Sequence, residues 1–200
     1  SLSTGFPSMG PCTRSAIAAC TLLAAAVPLA AQGGGTPTAI VVSGPDVGRQ
    51  APDFTLPWAS KDGVGPADAG YQLWRDRGKT VVIAFYPRDF TSGCTAEMRT
   101  FAEQYDSLFG PEVVVVGIST DSVETHARFA SSLNLPFRLL SDPNQKVAAK
   151  YGSKGEGYAR RTVYVVGPKG DVTYRNLQFN SLDPKHYQDL AGAVRSARGG

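Results

Sequence analysis

Two uninterrupted apolar runs, Val81-Val82-Ile83-Ala84-Phe85 and Val113-Val114-Val115-Val116-Gly117-Ile118, constrain this chain more than any other feature. A strand with one face in water alternates apolar and polar residues. Runs without polar interruption belong to strands covered on both faces, as in parallel sheets between helical layers. Between the runs, Met98, Phe101, Ala102, Tyr105, Leu108 and Phe109 recur at spacings of three and four. That stripe predicts a helix over 95–109, closed by Gly110-Pro111. Strand, helix, strand is therefore the organising unit.

The remaining signals extend this order. Asp121 or Ser122 caps a helix running to about Leu133, with Glu124 positioned for a capping box. Pro136–Leu140 reads as a third, shorter strand. Asp142-Pro143 opens a helix that Gly152 stops after Tyr151. Thr162–Val166 and Val172–Arg175 flank Gly167-Pro168-Lys169-Gly170 as a hairpin. Asp183-Pro184 opens a last helix with Tyr187, Leu190, Ala191 and Val194 on one face. Upstream, Val41–Leu56 holds short extended signals, and Ser60–Gly70 reads as a loop. The expected fold class is α/β, a thioredoxin-like sandwich with a mixed central sheet flanked by helices.

The first thirty-odd residues read differently. Arg14, the apolar stretch from Ala16 to Val27 and the small residues through Ala31 describe a signal peptide over 1–31, with 1–8 an upstream extension. A buried Ala-rich helix is the other reading of that stretch. It falls short of the ~20 apolar residues that cross a bilayer, so no stable membrane anchor is expected. Ile17-Ala18-Ala19-Cys20 is similar to a lipoprotein box, but the apolar run follows the cysteine instead of preceding it. Residues 32–46, with Gly33-Gly34-Gly35, read as a flexible linker, and 47–200 as the folded domain. The expected location is outside the cytoplasm, periplasmic or extracellular.

Cleavage near Ala31 would remove Cys12 and Cys20 and leave Cys94 as the single thiol. An exported protein with one thiol has no intrachain disulfide, so Cys94 is either an inert buried residue or a reactive one. The charge balance, 20 basic against 17 acidic residues, is small and scattered, which argues against nucleic acid. Two histidines do not suggest a metal site; His126 and His186 are expected on solvated helix surfaces.

Cys94 lies in Phe85-Tyr86-Pro87-Arg88-Asp89-Phe90-Thr91-Ser92-Gly93-Cys94-Thr95-Ala96-Glu97, between the first buried strand and the first long helix. A thiol at a helix N-terminus faces unpaired N–H groups and the positive end of the helix dipole, both favouring a thiolate. Thr91, three residues earlier, is within reach of the sulfur in a tight turn. Pro87 stiffens the loop. Phe85, Tyr86 and Phe90 are candidates to shape a pocket.

The spacing Pro87-x-x-x-Thr91-x-x-Cys94 resembles the active-site signature of the peroxiredoxins, the alkyl hydroperoxide reductase/thiol-specific antioxidant family. The wider string is similar to the bacterioferritin-comigratory-protein subgroup. Ala51-Pro52-Asp53-Phe54-Thr55-Leu56 resembles the family's opening strand, and Arg161-Thr162-Val163-Tyr164-Val165-Val166 its later strand. The resemblance spans roughly Val47 to Val194. It implies Cys94 as peroxidatic nucleophile, Thr91 as its hydrogen-bond partner, Pro87 as shield, Arg161 as cationic stabiliser and Glu97 as the group orienting the arginine. Arg160 would take the arginine's place only in a shifted register, since alternation points it to the other face.

The activity implied is reduction of hydrogen peroxide and organic hydroperoxides through a sulfenic acid at Cys94. No metal or organic cofactor is implied. Many relatives carry a resolving cysteine five residues after the first; here that position is Arg99. The resemblance thus implies a one-cysteine cycle with an external thiol reductant: thioredoxin-like, glutaredoxin-like or a low-molecular-weight thiol. It leaves monomer and homodimer open. The alternatives are an exported thioredoxin-like thiol–disulfide oxidoreductase, disfavoured because Thr91 stands where C-x-x-C needs its first cysteine, and a non-catalytic binding module of the same fold.

Overall fold

The computed structural model describes residues 44–199. The proposed leader, Cys12, Cys20 and most of the proposed linker lie outside them. In chain order the elements are β1 (Thr55–Leu56), β2 (Trp58–Ser60), β3 (Gly63–Val64), β4 (Tyr71–Gln72), a 3-10 turn at Leu73–Asp76, β5 (Thr80–Phe85), α1 (Ser92–Glu103) and α2 (Tyr105–Leu108). There follow β6 (Val113–Ser119), α3 (Val123–Ser132), β7 (Arg138–Ser141), α4 (Lys146–Lys150), β8 (Thr162–Val166), β9 (Val172–Asn176) and α5 (Pro184–Arg198).

The two apolar runs form the centre of a seven-stranded sheet ordered β3-β2-β7-β6-β5-β8-β9. β5, β6 and β7 are mutually parallel, while β8 returns antiparallel to β5, pairing Phe85 with Thr162. All six residues of β5 are buried. Alternation sorts them onto two faces: Val82 and Ala84 pack with Met98 and Phe101 of α1 and Leu190 of α5. Val81, Ile83 and Phe85 pack with Val147 of α4 and with Leu56 and Tyr71. This is the expected mixed α/β sandwich.

Gly117 in β6 shows how tight the α1 face is. A Cβ there would lie 2.7 Å from Leu139 Cδ2, 3.1 Å from Tyr86 Cε1 and 3.7 Å from Met98 Sδ. Its missing side chain leaves room for Leu139 and the Tyr86 ring.

Several expectations need correction. The helix expected over 95–109 begins at Ser92, because Thr91 takes extended dihedrals and acts as N-cap, and it breaks at Gln104 into α1 and α2. The aromatic stripe crosses the break: Phe101 and Tyr105 each meet Phe109 with ring centroids 5.3 Å apart. Ser122, not Asp121, caps α3, accepting from Thr125 N, which leaves Glu124 one position early for a reciprocal capping box. α4 starts at Lys146, later than Asp142-Pro143 suggested, yet the Asp142 carboxylate still accepts from Lys146, Val147 and Ala148 N–H. The segment expected as a loop after Ser60 contains the β2–β3 hairpin, turned at Gly63 with φ 130°.

Candidate active site

Cys94 is the third residue of α1, so its own N–H belongs to the first helical turn, whose donors have no partner within the helix. The helix points at the carboxyl end of β5, where α/β folds place their sites. The residue is only 1% exposed, packed on the α1 face of the sheet.

Arg161 immediately precedes β8. Alternation puts it on the face of Val163 and Val165, toward α1. Arg160 turns the other way and donates to the Gly152 carbonyl. Arg161 Nη2 donates to Cys94 Sγ at 3.2 Å, and Nη1 donates to Glu97 Oε2. One guanidinium is therefore shared by the thiol and by a carboxyl one helical turn beyond it. Gly93 permits the approach: a Cβ there would sit 3.3 Å from Arg161 Nη2.

The Glu97 side chain is fully buried, while that of Arg161 is 18% exposed. Burial pushes the Glu97 carboxyl up to about 7, against the pull of Arg161. Burial also works against the Arg161 cation, but Glu97 and Cys94 outweigh it and hold the guanidinium above its ordinary value. Among the described residues Glu97 Oε1 has no hydrogen-bond partner. The cluster thus offers a sulfur stabilised by a positive charge, with hydrogen-bonding capacity left over.

The other expected residues are placed as follows. Pro87 is half-buried in the loop from β5 to α1. Thr91 is exposed, and its hydroxyl donates to the Arg88 carbonyl at 3.0 Å instead of to the sulfur. In this state Arg161, not Thr91, is the hydrogen-bond partner of Cys94. Of the aromatic candidates, Phe85 faces away, against Tyr151 and Tyr164. Phe90 is 55% exposed and rests on Phe129 at 5.0 Å. Tyr86 is fully buried on the α1 face.

Sequence reasoning missed a second polar cluster. His126, expected on the surface, is fully buried. Its Nδ1 lies 2.8 Å from Asp89 Oδ2 and its Nε2 3.1 Å from the Leu140 carbonyl. The Tyr86 hydroxyl donates to Asp89 Oδ1 at 2.7 Å. Burial first, then the Asp89 charge, push this phenol well above its ordinary value, so it remains a donor. Asp89 N donates to Asp121 Oδ2, which also accepts from Ser119 Oγ. One signal was available: His126 shares a helical stripe with Phe129 and Ala130 and therefore faces the core. His186 is also not simply solvated, since its Nδ1 accepts from Asn180 N at 2.8 Å.

Comparison with known proteins agrees with this geometry. Residues 47–175 match the AhpC/TSA family. A putative peroxiredoxin bcp from Coxiella burnetii is 38% identical over 138 residues, covering 64% of this chain and 85% of that protein. The chloroplastic peroxiredoxin Q of Sedum lineare is 38% identical over 155 residues, covering 76% of this chain and 78% of the relative. Among solved structures, peroxidoxin BcpB from Mycobacterium tuberculosis superposes with a TM-score of 0.65 at 28% identity, covering 77% of this chain and 99% of that one. By sequence and by fold, this chain belongs to the AhpC/TSA family, the peroxiredoxins, and is a thiol-dependent peroxidase.

Proposed function

We propose that Cys94 is the peroxidatic residue and that the chain works as a one-cysteine enzyme with an external reductant. The supporting observation is the guanidinium of Arg161 at 3.2 Å from Cys94 Sγ, the arrangement that stabilises a thiolate and the charge growing on a departing oxygen. The thiolate attacks the terminal oxygen of a hydroperoxide. An S–O bond forms and the O–O bond breaks. The leaving oxygen takes a proton and departs as water or an alcohol, and sulfur, oxidised by two electrons, becomes a sulfenic acid. Arg161 faces this charge, Glu97 fixes the arginine, and Pro87 keeps bulk water from the sulfur. Thr91, at the helix cap, accepts from the incoming O–H.

Regeneration uses two external thiols. The first attacks the sulfenic sulfur, releasing water and leaving a mixed disulfide; the second displaces Cys94 and carries away a disulfide. No cysteine follows Cys94 in the sequence, and Arg99 stands five residues on, which supports this route over an internal disulfide. We further propose that residues 1–31 direct export and that the enzyme acts in the periplasm or outside the cell. N-terminal sequencing of the protein recovered from a non-cytoplasmic fraction tests that.

The central test is peroxide consumption by the chain without residues 1–31, with a panel of thiol donors, joined to mass spectrometry after limited peroxide. Turnover with sulfenic acid trapped on Cys94 is expected. Turnover that leaves Cys94 unmodified overturns the assignment.

A further inference from the structure

The loop that carries the reactive segment is gripped from one side. Asp89 and Phe90 are consecutive, and each meets a residue of α3: Asp89 Oδ2 meets His126 Nδ1 at 2.8 Å, and the Phe90 ring rests on Phe129 at 5.0 Å. His126 and Phe129 lie three apart on one stripe of α3. Phe90 takes φ 59°, a left-handed turn that brings both loop residues to the same helix. The next residues along the chain are Thr91, the cap of α1, and then the first turn bearing Cys94.

The hydrogen positions follow from the partners. A carbonyl oxygen only accepts, so His126 Nε2, facing Leu140 O at 3.1 Å, carries a hydrogen. Two lone pairs do not face each other at 2.8 Å, so a second hydrogen lies between Nδ1 and Asp89 Oδ2. The pair is neutral as a whole whichever atom holds that proton. Asp89 Oδ1 accepts from Tyr86 and Asp89 N donates to Asp121, so both carboxylate oxygens and the backbone N–H of Asp89 are bonded. This cluster joins the carboxyl ends of β5, β6 and β7 to the active-site loop through Tyr86, Ser119 and Leu140.

We infer that Asp89 and His126 are positioning residues for the peroxidase reaction, a clamp by which α3 fixes the loop that sets Pro87, Thr91 and the first turn of α1 around the incoming peroxide. The inference rests on the peroxidase reading above. Neither residue touches the sulfur; both act through the loop. The clamp therefore governs the alignment of peroxide with sulfur, whereas thiolate formation belongs to Arg161.

That separation gives the test. Single-turnover rates with hydrogen peroxide are compared with rates of Cys94 alkylation by iodoacetamide, which needs a thiolate but not the peroxide geometry. In Asp89→Ala and His126→Phe the peroxide rate is expected to fall about tenfold or more, with alkylation across pH changed less than about twofold. Asp89→Asn keeps an acceptor for Tyr86 and a donor toward a neutral His126, so it should recover most of the rate lost in Asp89→Ala. Should either first variant fail to fold, Asp89→Asn against His126→Gln carries the same comparison, because Gln brings one amide nitrogen to a site with two acceptors. Peroxide and alkylation rates falling together, or folded Asp89→Ala, His126→Phe or His126→Gln protein with the parent's peroxide rate, overturns the clamp. A parent protein inert toward peroxide overturns the peroxidase reading and the clamp with it.

Discussion

The two buried polar clusters beside α1 differ in how completely they are bonded. Around His126, both ring nitrogens, both Asp89 carboxylate oxygens and the Tyr86 hydroxyl have partners. Around Cys94, a single guanidinium serves both the sulfur and Glu97, and Glu97 Oε1 has no partner among the described residues. A saturated cluster holds shape; an unsaturated one keeps free energy available for something that arrives. The same loop joins them, so in the clamp proposed above the fully bonded cluster aims the one that holds Cys94.

The largest way to break this comparison is at the sulfur. Cys94→Ser should reduce hydroperoxide turnover to background while the far-ultraviolet circular dichroism stays that of the parent. Next, Arg161→Ala should slow peroxide reduction by about 10²–10³-fold, and alkylation near neutral pH should slow as well, because the thiolate loses the cation at 3.2 Å. On the other side of the contrast, His126→Phe leaves Asp89 buried without its partner. It should cost about 3 kcal/mol in denaturant unfolding. Thr91→Val should lower the peroxide rate about tenfold and leave alkylation alone, because its hydroxyl donates to Arg88 and not to the sulfur.

The last way to sharpen the comparison concerns pH. The folded chain raises Glu97 from an ordinary 4.5 to about 7. Between those values it holds a proton that the unfolded chain has released. Glu97 therefore makes stability fall as pH rises through that window, with no further change above it. Glu97→Gln should flatten that part of the stability curve, read from unfolding midpoints at pH 4.5 to 7.5; an unchanged slope assigns it to another group.

Much of the scaffold was legible in the sequence because buried parallel strands leave unbroken apolar runs and helices leave stripes. Val81–Phe85, Val113–Ile118 and the α5 stripe at Tyr187, Leu190 and Val194 are all elements of the structure. Short pairings such as β2 with β3 were not legible, since two or three residues carry no period. In the site, the position of Cys94 at a helix start and the side taken by Arg161 followed from local rules of helix ends and strand alternation. The contact of Thr91 with Arg88 did not, because it depends on a side-chain torsion. The partnership of Asp89 with His126 joins residues 37 apart in the chain, and only the packing of α3 across the sheet brings them together.

Gly117 ties these regions to one another. Were a methyl group added there, Leu139 has a flexible tip with which to yield, but the Tyr86 ring is tethered through its hydroxyl to Asp89. The strain would pass along that tether into the bend ahead of the sulfur. A volume change of one carbon in the middle of a strand should thus be felt as slower chemistry at the rim of the sheet, a mechanical link between core packing and turnover.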